Sequence, residues 1–158
     1  MRVTRHSALK IFIIVGLIAP PLLSGQKNPA APHVRDSVRL AIDQLVATKG
    51  SFGDSSGGWR FYGDRAPFEI LTRLTDQSPD SVLTALVDCF TDSAPTQLEY
   101  LHRRVSRGGV CYFALHDLAY REVENWPGDF FSYPTPRRLR AAQRAWREAI
   151  RRHWYSTL

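Results

Sequence analysis

"GSFGDSSGGWRFYGDR", residues 50–65, is the stretch on which the fold class turns. It holds five of the ten glycines, with serines and aspartates between them, and that composition reads as a turn-rich loop. Trp59, Phe61 and Tyr62 are set inside it. Taken as a loop it separates two helical segments, and almost no alternating strand pattern is visible elsewhere.

The same letters come close to three known chemistries and fit none. Residues 53–58 nearly spell the Gly-Asp-Ser-Gly-Gly of a chymotrypsin-like nucleophile loop, but an extra serine displaces Gly57 and Gly58, and the stretch falls early in a short chain. A phosphate loop needs Lys and Ser or Thr after its second glycine, whereas Trp59 and Arg60 follow Gly58. An EF-hand-like calcium loop counted from Asp54 puts Trp59 where glycine is required and Arg65 where the bidentate Glu belongs. The plain reading is a connector whose aromatics dock back onto the core.

The chain opens with Arg2, Arg5 and Lys10, an apolar run from Ile11 to Leu23, and small residues at Ser24 and Gly25. Residues 1–25 therefore read as a secretory signal peptide cleaved near Gly25. The run is shorter than the ~20 residues of a membrane span, and Pro20 and Pro21 break it. Gln26 stands where a lipoprotein would carry its lipidated cysteine. The expectation is an exported protein, periplasmic or secreted and not lipidated, with residues 26–34 a flexible tether and residues 35–158 one helical domain. The chain carries a formal charge of +6; without the three bases of the leader, which has no acids, the remainder carries +3. Export and that small charge argue against a nucleic-acid partner.

Cys89 and Cys111 both lie in the exported part. An oxidising compartment favours a disulfide between them over two buried thiols. The other elements follow from local pattern. Val38, Ala41, Ile42, Leu45 and Val46 recur at helical spacing from Arg35 onward, and Gly50 can end that helix. Pro67, Phe68, Leu71 and Leu74 mark a short second helix. "SPDSVLTALVDCF", residues 78–90, is a helix start with Ser78 as cap, Pro79 in the first turn and Asp80 against the dipole. "LEYLHRRV", residues 98–105, reads as two short strands or as an irregular excursion. Residues 110–123 are apolar on more than one face, as a helix packed on at least two sides must be. After a second aromatic stretch with Trp126, Phe130, Phe131 and Tyr133, Thr135-Pro136 launches the last helix. The fold class expected is all-α, a compact bundle of about five short helices with two aromatic loops.

Residues 71–92 carry Leu71, Leu74, Asp76, Pro79, Val82, Ala85 and Leu86 in an order that resembles a HEAT or armadillo-like repeat. Leu83 stands where such a repeat usually has a basic residue. The resemblance implies a helical hairpin, and by extension degenerate αα-hairpin repeats, within a small exported bacterial protein; it implies no activity.

Two surfaces are candidates for function. In the final helix, Leu139, Ala142, Trp146, Ala149, Ile150 and His153 form one face, and Arg137, Arg140, Arg144, Arg147 and Arg151 form a stripe on another. Guanidinium groups pair bidentately with carboxylates and phosphates, so the stripe suits an acidic envelope protein or an anionic surface. Insertion into a membrane surface would instead need Leu139, Trp146 and Ile150 to be exposed. The second surface is aromatic: Trp59 and Tyr62 with Trp126 could line a groove for peptide or sugar, or simply cap a small core. His33, His102, His116 and His153 show no metal-ligand spacing, and no cofactor or metal is expected. The expectation is a non-enzymatic binding domain of the cell envelope. The alternative is a small envelope hydrolase, which would require one Glu or His in a cleft with a displaced pKa and a hydrogen-bonded partner. Glu69, Glu122 and Glu124 are the carboxylates available for that role, while His116, beside Asp117 on an apolar helix, reads as a core histidine.

Overall fold

The computed structural model describes residues 32–55, 58–121 and 133–158. The leader, the tether up to residue 31, Glu122, Glu124, Trp126, Phe130 and Phe131 lie outside the described residues. The elements run α1 (Pro32–Ala47), β1 (Gly50–Ser55), β2 (Gly58–Tyr62), α2 (Ala66–Gln77), α3 (Pro79–Cys89), β3 (Pro95–Tyr100), β4 (Arg103–Ser106), α4 (Arg107–Leu118), β5 (Ala119–Arg121), α5 (Pro136–Arg152) and β6 (Tyr155–Thr157).

The all-α expectation is wrong. Five helices are present, but so is a four-stranded mixed sheet of order β2-β1-β3-β4 and a two-stranded sheet of β5 and β6, which makes the protein α/β. In the larger sheet β1 runs antiparallel to β2 and parallel to β3, and β3 runs antiparallel to β4.

The glycine-rich stretch, expected as a loop, is the β1–β2 hairpin. Phe52 and Phe61 lie opposite each other in the ladder, turn into the core, and meet at a ring separation of 5.1 Å. Phe52 also packs on Phe113 of α4 at 4.5 Å. Two buried aromatics thus anchor a ribbon whose first strand is otherwise small or polar and whose second also carries Trp59, Arg60 and Tyr62. The glycines here serve close approach: a Cβ on Gly50 would lie 2.6 Å from the Tyr62 carbonyl oxygen.

Of the two readings of residues 98–105, the strands are observed. Thr96, Leu98 and Tyr100 are buried and alternate with exposed Pro95, Gln97 and Glu99. Thr96 is a polar residue in an inward position, and its hydroxyl donates to the Val105 carbonyl at 2.6 Å, so its burial is compensated. Leu101 and His102, with φ of 50° and 60°, make the two-residue turn into β4.

α4 is the central element. It touches α1, α2, α3 and α5 as well as β2, β3 and β4, which is why its sequence is apolar nearly all round. Ser106 caps it by accepting from the Gly109 amide, and a Cβ on Gly108 would overlap the Phe90 carbonyl. The end of α3 and the start of α4 therefore meet backbone to backbone. Cys89 and Cys111 form a disulfide across this junction, with Cα atoms 6.0 Å apart. Arg107 ties it to α1, bonding Asp43 and reaching Asp92 at 3.4 Å.

α2 and α3 form a helical hairpin in which Pro79 opens α3. Ser78 occupies the cap position, although its hydroxyl donates to the Ser81 hydroxyl rather than accepting from a helix amide. Helix α1 starts at Pro32, three residues before the start read from the apolar spacing. The chain end returns to the core: β6 pairs with β5, and the Tyr155 hydroxyl donates to Asp80 at the start of α3. Burial and that hydrogen bond push the Tyr155 hydroxyl well above the ordinary tyrosine range.

Candidate functional site

Helix α5 begins where the sequence places it, with Thr135 accepting from the Arg138 amide and Pro136 in the first turn. Leu139, Trp146 and Ala149 are buried, and Ala142 and Ile150 pack half-buried against the core. Gln143, on the same face, donates from its amide to the Val87 carbonyl of α3 at 2.8 Å. His153 is exposed; it ends the helix in the left-handed conformation at φ 54°. The apolar face is therefore consumed by packing on α3 and α4. Membrane insertion through Leu139, Trp146 and Ile150 is not open to this protein, and no described helix is long and apolar enough to cross a membrane.

The opposite face carries the arginines. At ~100° per residue, positions 137, 140, 144, 147 and 151 fall within an arc of about 80°. All five side chains are exposed. Their electrostatic situations differ along the helix. Arg147 bonds Asp88 of α3 at 2.9 Å. Arg151 and Arg152 both pair with Glu148, whose carboxyl is held below its ordinary value, chiefly by the hydrogen bond from Arg151. Arg137, Arg140 and Arg144 have no ion-pair partner among the described residues. The stripe thus resolves into a C-terminal half in which three arginines share two carboxylates and an N-terminal half without ion pairs among the described residues, whose three guanidinium groups extend over about 10 Å of helix.

Of the three aromatic candidates, the structure describes the side chain of Tyr62 alone. Phe61 is in the core, Tyr62 is 53% exposed on the outer face of β2, and Trp126 lies outside the described residues. Trp59 belongs to β2. The ring of Tyr62 lies over Gly53 on the neighbouring strand. Tyr133 donates to the Arg104 carbonyl and faces Arg103, at the other edge of the sheet.

Of the groups an acid–base site would use, Glu122 and Glu124 lie outside the described residues. Glu69 is exposed on α2. His116 is buried on α4 with its ring 4.4 Å from Tyr112 and 5.9 Å from Trp146. Burial, assisted by the charge of Arg121, lowers its pKa to about 3. That displacement belongs to an enclosed aromatic setting. A cleft lies elsewhere, between α1, α3 and the start of α4. No group of three or more metal-ligating side chains gathers among the described residues.

Comparison of the chain with protein-family models, with curated proteins and with solved structures finds no match.

The uncompensated half of the stripe was only partly readable. The arginines and their spacing are visible in the sequence, but which of them are neutralised depends on Asp88, 59 residues from Arg147 along the chain.

Proposed function

We propose that this protein is an exported, non-enzymatic binding domain of the cell envelope that docks an acidic protein partner through the N-terminal half of α5. The observation that carries the reading is the contrast along one helix: Arg147, Arg151 and Arg152 are paired within the fold, while Arg137, Arg140 and Arg144 are exposed without an ion-pair partner among the described residues. Clustered like charges raise the free energy of the isolated domain and are relieved by a carboxylate surface. The seat of α5 on α3, made by Trp146 and Gln143, fixes the helix backbone that carries the three side chains, so that only their rotamers are ordered on binding. Export rests on the basic and apolar leader.

Chemical crosslinking in intact envelopes, followed by capture of the protein, tests this. The natural protein is expected to enrich a defined envelope protein that a folded Arg137→Glu/Arg140→Glu/Arg144→Glu variant loses. Equal enrichment by both, or none by either, contradicts the reading. An envelope partner recovered through another surface would retain export and remove α5 from the interface.

A further inference from the structure

A second feature lies on other elements and does not depend on the α5 surface. Between α1, α3 and the start of α4 runs a cleft of about 420 Å³, within the size range of small-molecule sites. Its apolar lining comes from Ala85 and Cys89 of α3, over a floor of the nearly buried Val38 and Ile42 of α1. The two ends of the trough differ in charge. At one end Arg107 is held by Asp43 and Asp92, so its guanidinium is already neutralised. Toward the other, Arg35 and Arg39 line the cleft one helical turn apart, exposed and with no ion-pair partner among the described residues. Eight residues of helix separate Arg35 from Asp43, about 12 Å.

We propose that this cleft binds a small amphipathic carboxylate, with its apolar body along Val38, Ile42 and Ala85 and its anionic head at Arg35 and Arg39. The orientation follows from charge. Asp43 and Asp92 repel a carboxylate from the Arg107 end, while two free guanidinium groups one turn apart can share a single carboxylate head. The apolar body displaces water from a trough that is otherwise lined by valine, isoleucine, alanine and the disulfide.

Octanoate is the probe, titrated into the folded protein by calorimetry and by methyl NMR. Saturable binding is expected, with shifts at the Val38, Ile42 and Ala85 methyls. An Arg35→Gln/Arg39→Gln variant, altered only at exposed side chains, is expected to bind at least about tenfold more weakly, the loss of one or more charge-assisted bonds. Octan-1-ol, which lacks the charge, is expected to bind the natural protein at least about tenfold more weakly for the same reason. Ala85→Phe fills the trough and is expected to abolish binding. The proposal is overturned if octanoate does not bind saturably, if the alcohol binds as tightly, if the methyl shifts fall outside the cleft, or if the double arginine variant binds unchanged. Should Ala85→Phe fail to fold, the methyl shifts and the arginine variant decide.

Discussion

Gln143 of α5 donates a buried hydrogen bond to the carbonyl of Val87 on α3, at 2.8 Å, from the middle of an otherwise apolar contact. One polar bond of defined length fixes both the rotation of α5 about its axis and its register along α3. Together with the burial of Leu139, Trp146 and Ala149 it turns the arginine face outward. Gln143→Ala is expected to lower stability by about 1–3 kcal/mol, through loss of that bond and of side-chain packing. Urea denaturation measures it; an unchanged midpoint would show that Leu139 and Trp146 seat the helix alone.

His116 makes stability depend on pH. Its folded pKa, about 3, lies below the ordinary value of 6.5, so the unfolded chain takes up a proton that the folded chain refuses. Its contribution is fully present above the unfolded value and falls with acidification between those limits, by about 1.4 kcal/mol per pH unit. Asp117 acts in the opposite sense nearer the carboxylate range, because burial raises its pKa against the smaller pull of Arg65. A His116→Phe variant is expected to show a shallower loss of stability on acidification. Identical pH profiles for the two proteins would mean that His116 is not enclosed between Tyr112 and Trp146.

The Cys89–Cys111 disulfide closes a loop with a sequence separation of 22 residues. Constraint of the unfolded chain by a loop of that length is worth roughly 3 kcal/mol. Reduction under native conditions is expected to lower the denaturation midpoint accordingly. Alkylation of the denatured protein is expected to leave its mass unchanged without reductant and to add two labels after reduction; immediate double labelling contradicts the bond.

Gly108→Ala is expected to destabilise the protein by about 1–3 kcal/mol, although alanine is the better helix former. The added methyl would strike the Phe90 carbonyl at the junction of α3 and α4, beside the disulfide, where neither backbone can yield independently. A midpoint equal to or above that of the natural protein would show that the junction is looser than the packing implies.

The helices were legible because their signals are local. Pro79 opens α3, Thr135-Pro136 opens α5, and the inward Leu139 and Trp146 recur at helical spacing. Of the sheet only β3 and β4 were legible, as one of two readings of residues 98–105, and the physical reasons differ by strand. The β1–β2 hairpin buries one phenylalanine per strand, Phe52 among glycine and serine and Phe61 between Arg60 and Tyr62, so neither strand shows an alternating apolar pattern of its own and each is completed by its partner. In β3 the alternation is real, but Thr96 occupies an inward position and conceals it; only the hydrogen bond to Val105 makes that position tolerable. β5 and β6 are three residues each and exist through pairing alone. The arginine stripe was visible as a charge pattern, whereas its division into paired and unpaired halves depends on tertiary contacts with α3. The cleft beside α1 draws its walls from segments 64 residues apart, the separation of Asp43 and Arg107.

That division of the stripe is tested most directly by reversing its halves separately. Envelope capture would compare the natural protein with Arg137→Glu/Arg140→Glu/Arg144→Glu and with Arg147→Glu/Arg151→Glu/Arg152→Glu, each shown to be folded. The first variant is expected to lose the captured partner and the second to retain most of it, since its arginines are engaged with Asp88 and Glu148. Loss in the second variant with retention in the first would contradict the assignment of docking to the unpaired half.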